Sequence, residues 1–166
     1  MLNEYIIYTD GSFRLPDVGA YGGIILDKKD GSIVLDFMEV CVGENVTNNT
    51  MELMAIQKAL ECLPEKSKVH IYSDSKYAIF ATSMWYKKWM KNDWLTMNGT
   101  PVSNRDIIED IVHLSDVHPV YTIEHVYGHS GDTYNEYVDS RVRTATKNKV
   151  IELYGETALQ RRHRFK

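Results

Sequence analysis

The sequence predicts an α/β protein, built on one five-stranded mixed sheet flanked by helices. Five runs rich in apolar, β-branched and aromatic residues are bounded by turn residues. Stretches with the helical period fall among and after the later runs. Their order along the chain is β-β-β-α-β-α-α-β-α. At 166 residues, 43% hydrophobic and 25% charged, the chain suffices for one domain with a substantial core.

Tyr5-Ile6-Ile7-Tyr8-Thr9 suits a pleated surface and reads as the first strand. It runs into Asp10 and a Gly11-Ser12 turn signal, and Phe13 to Gly19 reads as an irregular loop around Pro16. Ala20 to Asp27 gives the second strand and Ile33 to Val42 the third. The Asp30-Gly31 turn between them predicts an antiparallel hairpin, and the three strands a meander.

After polar punctuation at 45–49, Ile56, Ala59, Leu60 and Leu63 recur with the helical period until Pro64 stops the helix. Val69 to Tyr72 is a short fourth strand that ends on Ser73-Asp74-Ser75. Lys76 to Met90 is helical with room for a break near Ser83, and 92–103 is a loop. Asn104 is placed to cap a helix through Leu114, whose stripe is Ile107, Ile108, Ile111 and Leu114. Pro119 precedes the fifth strand, Val120 to Val126. Gly128-His129-Ser130-Gly131 forms a turn before a helix from Tyr134 to Lys149. Val150 to Gln160 extends as helix, interrupted at Gly155. Residues 1–149 thus read as the domain, and 150–166 as a helical, basic extension of it.

Several classes are excluded. No apolar run approaches the roughly 20 residues that span a bilayer, and Met1 to Glu4 lacks a signal-peptide pattern. Cys41 and Cys62 show no CxxC spacing, so free thiols in a reducing, cytoplasmic setting are expected and a structural zinc site is not. A net charge of −4 does not advertise nucleic-acid binding. The basic residues are nevertheless clustered. Lys87, Lys88 and Lys91 sit among Trp85, Trp89 and Trp94, and Arg161, Arg162, Arg164 and Lys166 close the chain. Each cluster can equally be a solvated face.

Four acids occupy unusual positions. Asp10 ends a buried strand, which is costly for an unpaired charge. Glu52 lies four, seven and eleven residues before Ile56, Ala59 and Leu63, on the apolar stripe of the first helix. Alternatively it completes a capping box with Asn49. Asp74 ends the fourth strand, where it or Ser75 can cap the next helix. Asp139 sits inside the last helix, where a solvated face is the plain alternative. His129 stands in a glycine-flanked turn, either a surface histidine or a mobile imidazole. If the first and fourth strands are neighbours, Asp10 and Asp74 converge at one sheet edge. Crowded carboxylates repel unless cations neutralise them, and oxygen ligands without clustered Cys or His favour magnesium or manganese. Two such ions roughly 4 Å apart suit in-line displacement at phosphorus.

Four motifs together are specific. Thr9-Asp10-Gly11-Ser12, the block Thr47-Asn48-Asn49-Thr50-Met51-Glu52-Leu53-Met54-Ala55, Ser73-Asp74-Ser75-Lys76-Tyr77, and Gly128-His129-Ser130-Gly131 with Asn135, Glu136 and Asp139 resemble type 1 ribonuclease H, in that family's order and approximate spacing. The resemblance runs from about Leu2 to Lys149. It implies the ribonuclease H-like fold and an endonuclease that cuts the RNA strand of RNA–DNA hybrids, leaving 5′-phosphate and 3′-hydroxyl ends. It further implies two magnesium ions, for which manganese can substitute, bridged by Asp10. Asp139 then completes the water-activating ion, Glu52 and Asp74 hold the ion at the leaving oxygen, and His129 assists proton transfer or product release. Substrate contacts are implied for Gly11, Ser12, Thr47, Asn48, Asn49, Lys76, Trp85, Lys87, Lys88 and Asn135. The expected partner is the hybrid, met by a monomer away from membranes. A nuclease of the same fold with resolvase-like or exonuclease-like specificity, or a non-catalytic hybrid-binding module, are the alternatives. The full carboxylate set and the intact asparagine block favour the first reading.

The sequence also departs from the family pattern. Phe13 to Gly19 lacks the usual glycine- and asparagine-rich loop, Asp17 there repels DNA, and Lys76 replaces a common glutamine. The Trp-Lys stretch is less basic than in bacterial members. These changes predict weaker, more salt-sensitive hybrid binding.

Overall fold

A computed structural model describes residues 1–64, 66–127 and 133–165, with the side chains of 161–165 excepted. The predicted class is borne out. Strands β1 (Glu4–Arg14), β2 (Val18–Asp27), β3 (Ile33–Val42), β4 (Lys68–Ser73) and β5 (Val120–His125) form one sheet in the order β3-β2-β1-β4-β5. The first three make the expected antiparallel meander, and β4 and β5 run parallel to β1. Among the described residues no helix is long and apolar enough to cross a membrane.

The strand faces explain the layers. From one face, Ile7 and Ile25 pack with Val69 and Ile71 against α1 (Asn48–Glu61) and α4 (Arg105–Asp116), which contribute Leu53, Ile56, Ile108 and Ile111. From the other face, Ile24 and Leu26 meet Val138 of α5 (Thr133–Tyr154). Alternation along each strand therefore places α1 and α5 on opposite sides of the sheet. α2 (Lys76–Phe80) and α3 (Tyr86–Lys91) are joined by a π-helical turn, Ala81–Trp85. The irregularity falls where the sequence allows a break near Ser83. Thr82 and Ser83 hydroxyls both donate to carbonyls four residues back, which favours bending there. Gly155, at φ +81°, ends α5 and starts a 3-10 segment, Glu156–Phe165.

Two local expectations are corrected and a third holds in part. Gly11-Ser12 does not turn the chain. Gly11 pairs with Tyr21 and Ser12 with Ala20, so β1 continues to Arg14 and the expected loop shrinks to residues 15–17. The ladder satisfies backbone groups that a turn would leave to water. α1 is capped by Thr47, whose hydroxyl accepts from the Thr50 N–H at 3.0 Å; Asn49 and Glu52 form no capping box. Asn104 occupies the N-cap position of α4 as expected, but its side chain makes no capping hydrogen bond. It sits at φ +64°, and its side chain bridges distant groups instead, accepting from the Thr50 hydroxyl at 2.9 Å and donating to the Tyr77 hydroxyl at 3.3 Å.

Gly11 has a packing reason that the sequence does not reveal. A Cβ there would stand 2.6 Å from the Glu52 nitrogen and 2.7 Å from the Met51 carbonyl carbon. The absent side chain lets α1 lie directly on β1. Gly11→Ala must push the two backbones apart. The expected loss is about 1–3 kcal/mol in urea unfolding, with weaker divalent-cation binding by calorimetry. Unchanged stability together with unchanged binding would contradict this role.

Candidate metal centre

β1 and β4 are parallel with Thr9 opposite Ser73, so Asp10 and Asp74 follow one residue later, side by side. The neighbour relation expected of these strands is present. β4 stops at Ser73 whereas Asp10 still pairs with Gly22 of β2. Glu52 reaches them from the start of α1, brought close by the contact over Gly11. One carboxylate oxygen from each of Asp10, Glu52 and Asp74 lies within 4.8 Å of the others. Asp74 has no capping task, because Ser75 accepts from the Ala78 N–H at 3.0 Å.

Burial sets the electrostatics. Asp10 is 2% exposed and Glu52 5% exposed. Burial first, and then the charge of Asp74, push the Asp10 carboxyl up to about 8. Burial likewise holds Glu52 well above the ordinary carboxylate range, with the Asp10 and Asp74 charges adding to it. Hydrogen bonds do little to offset this. Asp10 Oδ1 accepts from the Gly11 N–H at 2.8 Å. Asp10 Oδ2, Glu52 Oε1 and Asp74 Oδ1 are buried without a hydrogen-bond partner among the described residues. Buried acceptors are rarely left so. Three orphaned oxygens, with neither sulfur nor imidazole among them, fit a hard divalent cation.

Asp139 joins this group less closely. It lies near enough to Asp10 for its charge to raise that carboxyl, yet its Oδ2 accepts from Arg143 Nε at 3.1 Å. Arg143 escaped the sequence reading, although its position four residues after Asp139 on a helix is a readable pairing signal. His129 and its Gly128-to-Gly131 turn lie outside the described residues.

The other expected site residues fall into groups. Thr47, Asn48 and Asn49 are exposed at the start of α1. Thr50 spends its one hydroxyl proton on Asn104, so the Thr47 hydroxyl donates to Thr50 and is turned inward. Thr47 and Asn49 line a cavity of about 750 Å³ with Tyr77, Trp89 and Asn104. Lys76 is exposed at the first position of α2, and Lys87 and Lys88 are exposed on α3. Trp85 is half-buried, edge-on to Tyr77 and Trp89 with centroids 6.1 and 6.0 Å away. Trp94 is buried under Arg105, whose guanidinium lies 5.2 Å from the ring centroid. Gly11 lies within the β1–β2 ladder, Ser12 is buried in it, and Asn135 is buried in the first turn of α5.

The sequence matches the family profile described as RNase H over residues 2–147. The chain belongs to the ribonuclease H family. It is a hydrolase, a nuclease of the ribonuclease H kind. Ribonuclease H of Chlorobaculum parvum is 37% identical over 145 residues, covering 86% of this chain and 95% of that protein. LC9-RNase H1, a type 1 RNase H with the type 2 active-site motif, shares the fold with a TM-score of 0.75 at 22% identity, over 89% of this chain and 74% of that one. The foamy viral protease-reverse transcriptase in complex with RNA/DNA hybrid gives 0.73 at 16% identity, over 88% of this chain and 20% of that chain.

The raised carboxyls make a pH prediction. Without divalent cations the folded protein keeps protons on Asp10 and Glu52 that the unfolded chain releases above about pH 4. The folded state binds more protons through that window, so stability falls as pH rises from about 4 to about 8. The expected fall is on the order of a few kcal/mol in urea unfolding with EDTA, and smaller in Glu52→Gln. Equal pH profiles for the two proteins would contradict the carboxylate repulsion.

Proposed function

We propose that this protein is an endonuclease that hydrolyses the RNA strand of RNA–DNA hybrids, leaving 5′-phosphate and 3′-hydroxyl ends. The observation that carries this reading is the convergence of Asp10, Glu52 and Asp74 with three buried, unpartnered oxygens, in a chain of this family. Two magnesium ions, when bound, supply the charge that activates a water and stabilises the leaving 3′-oxygen. Asp10, Glu52, Asp74 and Asp139 would hold these ions. Mutual repulsion among Asp10, Glu52 and Asp74, each with one buried oxygen left without a hydrogen bond among the described residues, favours cation binding at this place.

The protein's own groups supply the rest. Asn48 and Asn49, exposed at the start of α1, offer amide donors and acceptors to the minor groove, where the ribose 2′-hydroxyl distinguishes RNA from DNA. Glu52 is available to accept from that hydroxyl. Lys76, Lys87 and Lys88 present exposed charge to phosphates, and the half-buried Trp85 gives a sugar a flat surface. Thr47 caps the start of α1, which carries the two asparagines, and Asn135 belongs with the substrate contacts at the start of α5. Residues 1–149 form the nuclease domain, with 150–166 as its extension. The unpaired, half-buried Cys41 and Cys62 suit a reducing cytoplasm.

The test is a labelled RNA–DNA hybrid beside duplex DNA and duplex RNA, with magnesium or EDTA. The expected result is RNA-strand cleavage in the hybrid alone, lost in EDTA. Asp10→Asn is expected to lose more than the roughly 100-fold typical of groups behind a metal ligand. Intact hybrid RNA with both magnesium and manganese would overturn the reading.

A further inference from the structure

A second cluster of functional side chains lies beside the carboxylates and has the opposite charge. Arg14 of β1 and Ser140, Arg143, Thr144 and Lys147 of α5 line a pocket of about 210 Å³. The four α5 residues are spaced i, i+3, i+4 and i+7, so they form one stripe along the helix. Arg14 is four residues beyond Asp10 on the same strand, and Asp10, Ser12 and Arg14 share one face by alternation. The pocket lining has three cations, two hydroxyls and no acid. Every one of these groups can donate and none is negatively charged, which suits an oxyanion with several acceptor oxygens.

Two features tie the pocket to the carboxylates. Ser140 directly follows Asp139, and Arg143 donates to Asp139 at 3.1 Å, which holds its guanidinium between the acid and the pocket. Four strand residues span about 13 Å, a distance that carries a nucleic-acid strand past Asp10 by a couple of nucleotides. Lys147 is exposed and makes no ion pair among the described residues, so its ammonium is available to a ligand. In a protein of net charge −4, a concentration of three cations against one pocket is not a general surface property.

We propose that Arg14, Ser140, Arg143, Thr144 and Lys147 form a phosphate subsite for the RNA strand, engaging a backbone phosphate within about three nucleotides of the one at the carboxylates. The strand assignment rests on the proposed function, because the strand that enters the carboxylate cluster is the strand that continues past Asp139. The subsite supplies a phosphate contact from Arg14 within the segment whose sequence departs from the family pattern. It also anchors the cleaved strand on the α5 side, opposite the asparagines of α1.

The test uses the full chain and a fluorescein-labelled RNA–DNA hybrid in EDTA, so binding is read by anisotropy whether or not the protein cleaves. Arg14→Ala and Lys147→Ala are each expected to weaken binding about 5–10-fold at 150 mM salt. Each should lower the slope of log affinity against log salt, measured between about 50 and 200 mM, by about 1. Lys147→Arg should retain the parent's affinity. Single methylphosphonates are then placed along each strand. One RNA position should weaken the parent but add nothing to the Arg14→Ala, Lys147→Ala double variant. Unchanged affinity and slope in both single variants would overturn the subsite, as would a parent that binds no hybrid. Coupling to a DNA-strand phosphate instead would overturn the strand assignment. A parent that binds hybrid with this coupling but cleaves none would sink the proposed function and leave the subsite standing.

Discussion

The structure turns on the repulsion between Asp10, Glu52 and Asp74. Three carboxylates whose oxygens lie within 4.8 Å, two of them nearly buried, are unfavourable by themselves. Protonation relieves part of that cost, and a cation relieves more. The fold holds the groups in place by means that do not depend on their charge. The β1–β4 register aligns two of them, and the bare backbone of Gly11 admits the helix that brings the third. The ladder from β1 to β2 continues past Asp10 and fixes the strand on both sides of the acid. The energy that favours folding comes from the apolar faces on α1, α4 and α5, and part of it offsets the repulsion among the three carboxylates.

Some of the positive charges flank this centre, while others, such as Lys28, Arg105 and Arg141, are paired with acids elsewhere. Arg143 pairs with Asp139 at its margin, Arg14 and Lys147 stand farther along the α5 side, and Lys76, Lys87 and Lys88 lie on the α2–α3 arm. An acidic protein can thus meet a polyanion through local fields while its overall charge disfavours unspecific contact. The two basic regions stand on different elements, Arg14 and Lys147 on β1 and α5, and Lys76, Lys87 and Lys88 on α2 and α3.

Much of the site was legible because its chemistry is concentrated in contiguous motifs. Asp10, Glu52 and Asp74 stood out by position: two at strand ends and one on the apolar stripe of a helix. What was not legible depended on long-range choices. Thr47 rather than Asn49 caps α1, and Asn104, at the N-cap position of α4, turns its side chain to Thr50 and Tyr77, partners 54 and 27 residues away. The continuation of β1 through Gly11 and Ser12 was hidden because a glycine-serine pair signals a turn locally, whereas here the glycine answers a helix packed across the strand. The basic pocket was missed for the same reason. Arg14 is far in sequence from Ser140 to Lys147, and only the packing of α5 on the sheet joins them.

The most direct measurement is the thermal stability of the parent and Asp10→Asn near pH 8, each in EDTA and in saturating magnesium. If the carboxylates repel one another until a cation enters, the variant melts higher than the parent in EDTA. Magnesium then raises the parent's Tm by several degrees and the variant's by much less. A parent that is the more stable protein in EDTA, or an equal magnesium shift in both, would contradict the account.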